Sequence, residues 1–297
     1  MPAKPKTLSV SKRRARAKKR AYRPTIGYVL FENPNIVVIA TTRTKNPKTG
    51  DMVQIWILPR DVDPMRAVQT GEDDIVCFDC KHRGDKSAGR KRTCYVQVAK
   101  APRGIWRAYN RGRYEYLAAD GYQSVFGGKK IRFGAYGEPV LIPIAIVRAL
   151  SAVSAGRTGY THQWMRAEYQ VYRPYVMASV DSPAEYALAK SFGWRTFRAR
   201  TADQALSAAE IICPASDEAG YRTTCAQCRL CDGARENDAR KDIAIIVHGA
   251  AAKSFVSVDA LIASVPSAEV KLEGAVRDAY IARRFGADAL VSIGGMR

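Results

Sequence analysis

A chain of 297 residues, 47% of them hydrophobic, can bury the core of one large domain or two ordinary ones, which excludes disorder throughout. Its formal charge of +20, from 48 Lys and Arg against 28 Asp and Glu, points to a polyanionic partner, with nucleic acid ahead of a membrane surface. No run approaches the roughly 18 to 20 apolar residues of a membrane span, and the basic N-terminus lacks the apolar stretch of a secretory signal; the expectation is a cytoplasmic protein with no membrane partner.

Residues 1–24 hold ten basic side chains and no acid, Arg13, Arg14, Lys18 and Lys19 among them. Like charges repel and little here is apolar, so a disordered basic tail is expected, suited to binding polyphosphate by counterion release. Residues 25–72 follow as an N-terminal β segment. Thr25–Glu32, Asn35–Thr42 and Met52–Leu58 read as a meander of three strands separated by Asn-Pro and Pro-Lys-Thr-Gly turns.

Residues 73–250 form the expected α/β core. Ala101–Leu117 reads as a helix interrupted at Gly104 and Gly112. From residue 130 short apolar runs alternate with helical ones. Ile131–Tyr136, Tyr175–Val180, Trp194–Ala199, Glu210–Cys213 and Asp242–Val247 are strand candidates, and Ile144–Val153 and Pro183–Phe192 are helices. Such βα repetition predicts an α/β fold with a largely parallel sheet or a partial (β/α) barrel. Residues 251–297 read as a helical C-terminal closure.

The seven cysteines fall into two sets. Cys213-x11-Cys225-x2-Cys228-x2-Cys231 brings three thiolates around one centre by short turns and completes it with a fourth, the pattern of iron–sulfur or zinc ligation, with iron–sulfur ranked ahead. Cys77-x2-Cys80 with Cys94 leaves a fourth position, which either His82 fills as a closed zinc site or a water or small ligand occupies. In a reducing compartment such spacings mean metal more often than disulfides. Around the first set lie Arg90, Lys91, Arg92 and further cations, interleaved with Tyr95, Trp106 and Tyr109; cations with stacking faces suit single-stranded nucleic acid.

Parallel strands present their C-terminal ends on a common face. Glu138, His162 and Asp181 are therefore candidate catalytic residues. Gly137, Glu138, Arg198 and His248 are candidates for holding a cofactor. Glu138, His162, Asp181, Arg198 and His248 are expected at one mouth beside the three-cysteine set, with Ser182 and Asp181 also placed to cap a helix.

Cys77-x2-Cys80 with Cys94-Tyr95, Gly137-Glu138-Pro139, Gly159-Tyr160-Thr161-His162, Cys213-Pro214 and the cysteine triplet before Val247-His248-Gly249 resemble a bacteriophage family, typified by the eighty-eighth gene product of some mycobacteriophages. The resemblance spans about residues 73–250 and implies a phage origin and location in the host cytoplasm. That family in turn resembles radical S-adenosylmethionine proteins, whose partial barrels hold a three-cysteine cluster beside a Gly-Glu-Pro turn. It implies an iron–sulfur cluster on Cys77, Cys80 and Cys94, with Glu138 near S-adenosylmethionine. The spacing departs from the usual C-x3-C-x2-C, since thirteen residues separate Cys80 from Cys94. The readings thus range from a redox or radical enzyme, through a zinc-stabilised nucleic-acid-binding module without catalysis, to a host-factor interaction protein.

Overall fold

The computed structural model describes residues 26–84, 91–249 and 252–255. The basic tail, Arg90 and the C-terminal helical segment lie outside these residues. The chain opens with three antiparallel strands, β1 (Gly27–Glu32), β2 (Ile36–Thr41) and β3 (Val53–Pro59). β2 and β3 are buried along their whole length, as their β-branched sequences IVVIAT and VQIWILP require. The Asn33 side chain closes the first turn by accepting from the backbone N–H groups of Asn35 and Ile36, each at 2.9 Å.

Helix α1 (Pro64–Thr70) follows. Asp63 caps it, accepting from the Met65 N–H at 2.9 Å, and Pro64 occupies the first turn, where its missing N–H costs nothing. Next come α2 (Asp74–Cys77), α3 (Ala101–Asn110), a short β4 (Glu115–Tyr116) beside β1, and α4 (Tyr122–Phe126). The predicted Ala101–Leu117 helix stops at Asn110, ahead of Gly112, while Gly104 lies within it.

From there the βα alternation sets in. β5 (Lys130–Tyr136) pairs with β3 and with β6 (Gly156–Thr158), both parallel, across helix α5 (Ile144–Val153). β7 (Tyr160–Thr161), β8 (Met177–Val180), helix α6 (Pro183–Ser191), β9 (Thr196–Arg200), β10 (Glu210–Ile212), helix α7 (Cys225–Cys228) and β11 (Asp242–Ile246) complete the order. All pairings among β7 to β11 are parallel. The sheets run β4-β1-β2-β3-β5-β6 and β10-β11-β9-β8-β7. The predicted α/β class, the meander and the largely parallel pairing are all present, with no closed barrel among the described residues. Because β3 pairs with β5, the meander and the βα units share one sheet.

The sheets meet at Gly159, the single residue between β6 and β7. Its N–H donates to Cys231 O at 3.1 Å, and its carbonyl accepts from Met177 N at 3.0 Å. A Cβ there would stand 2.7 Å from Val176 Cγ1, so only glycine allows the approach. The main core packs the first sheet and its helices and continues onto β8 and α6, and it includes Trp106, Tyr109, Phe126, Phe133, Trp164 and Trp194. A smaller apolar cluster holds Met177, Ala215, Ile243 and Ile245 together with Cys213 and Cys231.

Candidate functional site

The first cysteine set is built on α2 and the loop after it. α2 ends at Cys77, and Phe78 takes φ +50°, a backbone strain of about 1–3 kcal/mol. The Phe78 ring is held by the Arg166 guanidinium at 5.3 Å and by Tyr169 at 6.0 Å. Cys80 precedes a 3-10 turn, Lys81–Arg83. Lys81 pairs with Asp181 at 2.8 Å and with Glu185 at 2.7 Å, anchoring this loop to the end of β8 and the start of α6. The chain returns when the N–H groups of Thr93 and Cys94 donate to the His82 carbonyl at 3.0 and 2.9 Å. That places Cys94 beside Cys77 and Cys80; burial raises the pKa values of Cys77 and Cys94, and the neighbouring thiols add to it.

His82 is not free to complete this set. Its Nδ1 meets Thr93 Oγ1 at 2.8 Å and its Nε2 meets Asp181 at 2.9 Å. The imidazole beside the thiols is His162, hydrogen-bonded to the Cys80 sulfur on one side and, through Nδ1, to Glu138 at 2.8 Å on the other. Burial pulls the His162 pKa down, but the Cys80 and Glu138 charges outweigh it, and the net displacement is well upward. A carboxylate–imidazole–sulfur chain of this kind favours the protonated imidazole.

Gly137 turns the chain at φ +79°, with a Cβ excluded by Ile57 O at 2.6 Å. Its role is thus conformational. Glu138, next in line and buried, accepts from Thr161 Oγ1 at 2.7 Å and from the His162 N–H at 3.2 Å as well as from the ring. Asp181 is buried with Oδ1 unpartnered among the described residues. Burial raises its pKa, but the Lys81 ammonium and His82 outweigh that and hold it well below the ordinary carboxylate range. Ser182, not Asp181, caps α6, accepting from Glu185 N at 3.1 Å. The His82 and His162 rings stand 5.4 Å apart, so Glu138, His162 and Asp181 do come together beside the three cysteines.

Two of the five expected mouth residues do not join them. Arg198 lies in the middle of β9, buried, with Nε and Nη2 on the two Glu210 oxygens at 2.7 and 2.8 Å. It is consumed by a structural ion pair because a strand residue two positions from the end points into the sheet's packing. His248 sits with the second cysteine set, its ring stacked on Tyr95 at 5.7 Å and its Nε2 3.4 Å from Lys48 Nζ. Trp106 is corrected too: it is 2% exposed, with its indole N–H on Arg60 O at 3.2 Å, so it offers no face to a base. The apolar face of α3 turns inward to bury it. Lys91 is exposed, whereas Arg92 pairs with Asp73 at 3.2 Å.

The second set gathers from three places. Cys213 ends β10, its N–H donating to Ala244 O at 2.8 Å. Cys225 and Cys228 begin and end α7, whose capping box pairs Thr224 with Gln227. Cys231 follows a left-handed turn at Arg229, φ +54°. The β2–β3 turn docks α7, since the N–H groups of Cys225 and Ala226 donate to Lys48 O and Thr49 O at 3.0 and 2.9 Å. Cys231 stands within the fields of Cys213, Cys225 and Cys228 and hydrogen-bonds Tyr160; burial and the neighbouring thiols push its pKa strongly up. All seven cysteines are free thiols.

β5 runs between the sets. Tyr136 faces Cys77 and Cys94, and Arg132 faces Cys225. Four residues along a strand separate groups by about 13 Å. Arg132 also donates to the hydroxyl of Tyr95, the residue after Cys94. Lys48 and Arg132 escaped sequence reasoning, since no local pattern links a hairpin turn to a cysteine triplet far down the chain. Tyr160 stood in the Gly159-Tyr160-Thr161-His162 motif but was given no role.

Among the described residues, no three or more His, Cys, Asp or Glu side chains stand preset around a cation position. The donors fit in kind: sulfur alone in the second set, sulfur with an adjacent imidazole in the first. Among the described residues no helix is long and apolar enough to cross a membrane. The chain matches no family model, no curated protein and no solved structure.

Proposed function

We propose that this chain is a metalloprotein with two cysteine-ligated centres, iron–sulfur ahead of zinc, working in the cytoplasm on or with nucleic acid, and of phage type as its motifs resemble. The observation that carries the reading is that Cys213, Cys225, Cys228 and Cys231, from a strand end, a short helix and a turn, are free thiols near enough to feel one another's charge, although they do not stand preset around a cation position. Four sulfurs drawn from three segments make a donor set of the kind that tetrahedral or cubane ligation uses. Cys77, Cys80 and Cys94 would hold the second centre, with His162 and Glu138 orienting the Cys80 sulfur from outside it.

An iron–sulfur group at a three-cysteine site supplies one-electron chemistry and an open position for a small ligand. The chain's own residues then orient and balance charge. Glu138 is the group that the radical S-adenosylmethionine resemblance would set near such a ligand, and its position beside Cys77 accords with that. A specific observation favours a second reading, a zinc-stabilised nucleic-acid-binding module without catalysis. The Glu138 carboxylate is already engaged by Thr161 and by two His162 donors, so it holds local structure as it stands.

Metal analysis with visible absorption on the full chain, purified without oxygen, separates the readings: brown protein containing iron and sulfide supports the first, and colourless protein containing zinc the second. Titration with S-adenosylmethionine under reductant then tests the radical assignment, which cleavage supports and absence of binding removes. For the partner, deleting residues 1–24 is expected to weaken DNA or RNA binding and to flatten its salt dependence, by about 0.9 in slope per lost duplex phosphate contact. An unchanged slope would contradict that role for the tail.

A further inference from the structure

The second thiol set is flanked by cations that have no carboxylate partner among the described residues. Arg132 is buried in β5, its Nη2 donating to Tyr95 Oη and its Nε left without any partner among the described residues. Its electrostatic neighbours are Tyr95, Tyr160 and Cys225. Lys48, half-buried in the β2–β3 turn, faces Cys213, Cys225 and Cys231, and its Nζ lies 3.4 Å from His248 Nε2. The other His248 nitrogen is 3.3 Å from the Ile246 carbonyl, so His248 donates from Nδ1 and accepts from Lys48, which fixes it as the neutral tautomer. Three arginines near Cys231, by contrast, do meet a carboxylate. Asp232, next to Cys231, is shared by Arg195, Arg235 and Arg240 at 3.5, 2.9 and 2.7 Å.

Several other cations in this protein are matched by carboxylates: Arg198 by Glu210, Lys81 by Asp181, Arg83 by Asp73. Burying a guanidinium and an ammonium against four neutral thiols would leave both uncompensated, which is costly. Four thiolates around a dication, whether zinc or an oxidised four-iron cluster, carry two negative charges in excess. We infer that Lys48 and Arg132 are the counter-charges of a dianionic tetrathiolate centre on Cys213, Cys225, Cys228 and Cys231, and thereby set its metal affinity. This rests on the metalloprotein reading above and deepens it. Lys48 reaches the centre twice over: its carbonyl holds the Cys225 N–H while its ammonium supplies charge.

Because the structural tie of Lys48 is through the main chain, replacing its side chain isolates the charge. The test titrates the metal-free full chain with Co(II), read by thiolate-to-cobalt absorption, and then displaces cobalt with zinc against a competing chelator. The wild type is expected to bind two ions. Lys48→Gln should weaken one of them by about 10- to 100-fold, the range for residues that support a metal's ligands from outside, and leave the other unchanged. Lys48→Arg should restore most of the loss. Arg132→Gln should act in the same direction; should that variant not fold, Lys48 alone decides. Unchanged affinity in Lys48→Gln, or a Lys48→Arg variant as weak as Lys48→Gln, would overturn the inference while leaving the two centres standing. Absence of cobalt–thiolate absorption in the wild type would overturn both.

Discussion

The two cysteine sets use the same side chain in opposite electrostatic settings. Around Cys77, Cys80 and Cys94 each nearby cation is already paired: Arg92 with Asp73 at 3.2 Å, Lys81 with Asp181 at 2.8 Å, His162 with Glu138 at 2.8 Å. Around Cys213, Cys225, Cys228 and Cys231 the facing cations are Lys48 and Arg132, and neither meets a carboxylate among the described residues. The first set rests on α2 and the loop after it, whereas the second joins the β2–β3 turn, the end of β10 and α7. Charge-neutral surroundings on a single loop suit a set whose occupancy changes. A cation-rich clamp across distant segments suits a permanent structural centre.

The strongest way to break this comparison is to remove one thiol from each set. Cys228→Ser is expected to cost metal and fold together, on the order of 10 kcal/mol if the centre is a structural zinc, seen as collapse of the thermal transition. Cys80→Ser should lose the first centre yet keep a cooperative transition. Equal damage from both would erase the distinction.

Asp181→Asn probes the neutral surroundings of the first set. It leaves the Lys81 and His82 charges unpaired, and breaking a buried pair in this way costs about 3–5 kcal/mol in urea unfolding. Because the folded pKa of Asp181 is depressed, its contribution is fully present above the ordinary carboxylate value of about 3.9 and is lost as pH falls through the lower folded value. The variant should therefore show a shallower acid limb than the wild type. An identical acid limb would contradict the pairing.

The smallest expected effect concerns the partner. Arg107 and Arg111 lie exposed on and just after α3, whereas Arg92 is spent on Asp73. Replacing Arg111 with Gln should lower the salt slope of nucleic-acid binding by about 1, and replacing Arg92 should leave that slope unchanged while reducing stability.

Much of the fold was legible because its strands are short apolar runs bounded by glycine, proline and asparagine. Ile144–Val153 behind Pro143 and Pro183–Ser191 behind Ser182 follow directly from those signals. Strands of two or three residues, β4, β6 and β7, carry too little pattern to stand out. Helix α1 was missed although Asp63-Pro64 is an N-terminal signature, because the helix has only seven residues. At the sites, the grouping of cysteines was written in their spacing, but what surrounds them was not. Arg198 reads as a strand-end cation until Glu210 is seen beneath it, and Trp106 reads as a stacking platform until α3 turns it inward. Lys48 and His248 meet across 200 residues, a separation that only the packing of the β2–β3 turn near the end of β11 bridges.

The claim that seven cysteines serve as one set of three and one set of four is tested most directly by alkylation and mass spectrometry of the full chain, purified without oxygen, before and after chelation. The account predicts that all seven are protected at first. Chelation should then release them in two steps, with Cys77, Cys80 and Cys94 reacting together ahead of Cys213, Cys225, Cys228 and Cys231. Independent reaction of the cysteines in the untreated protein, or release in any other grouping, would contradict it.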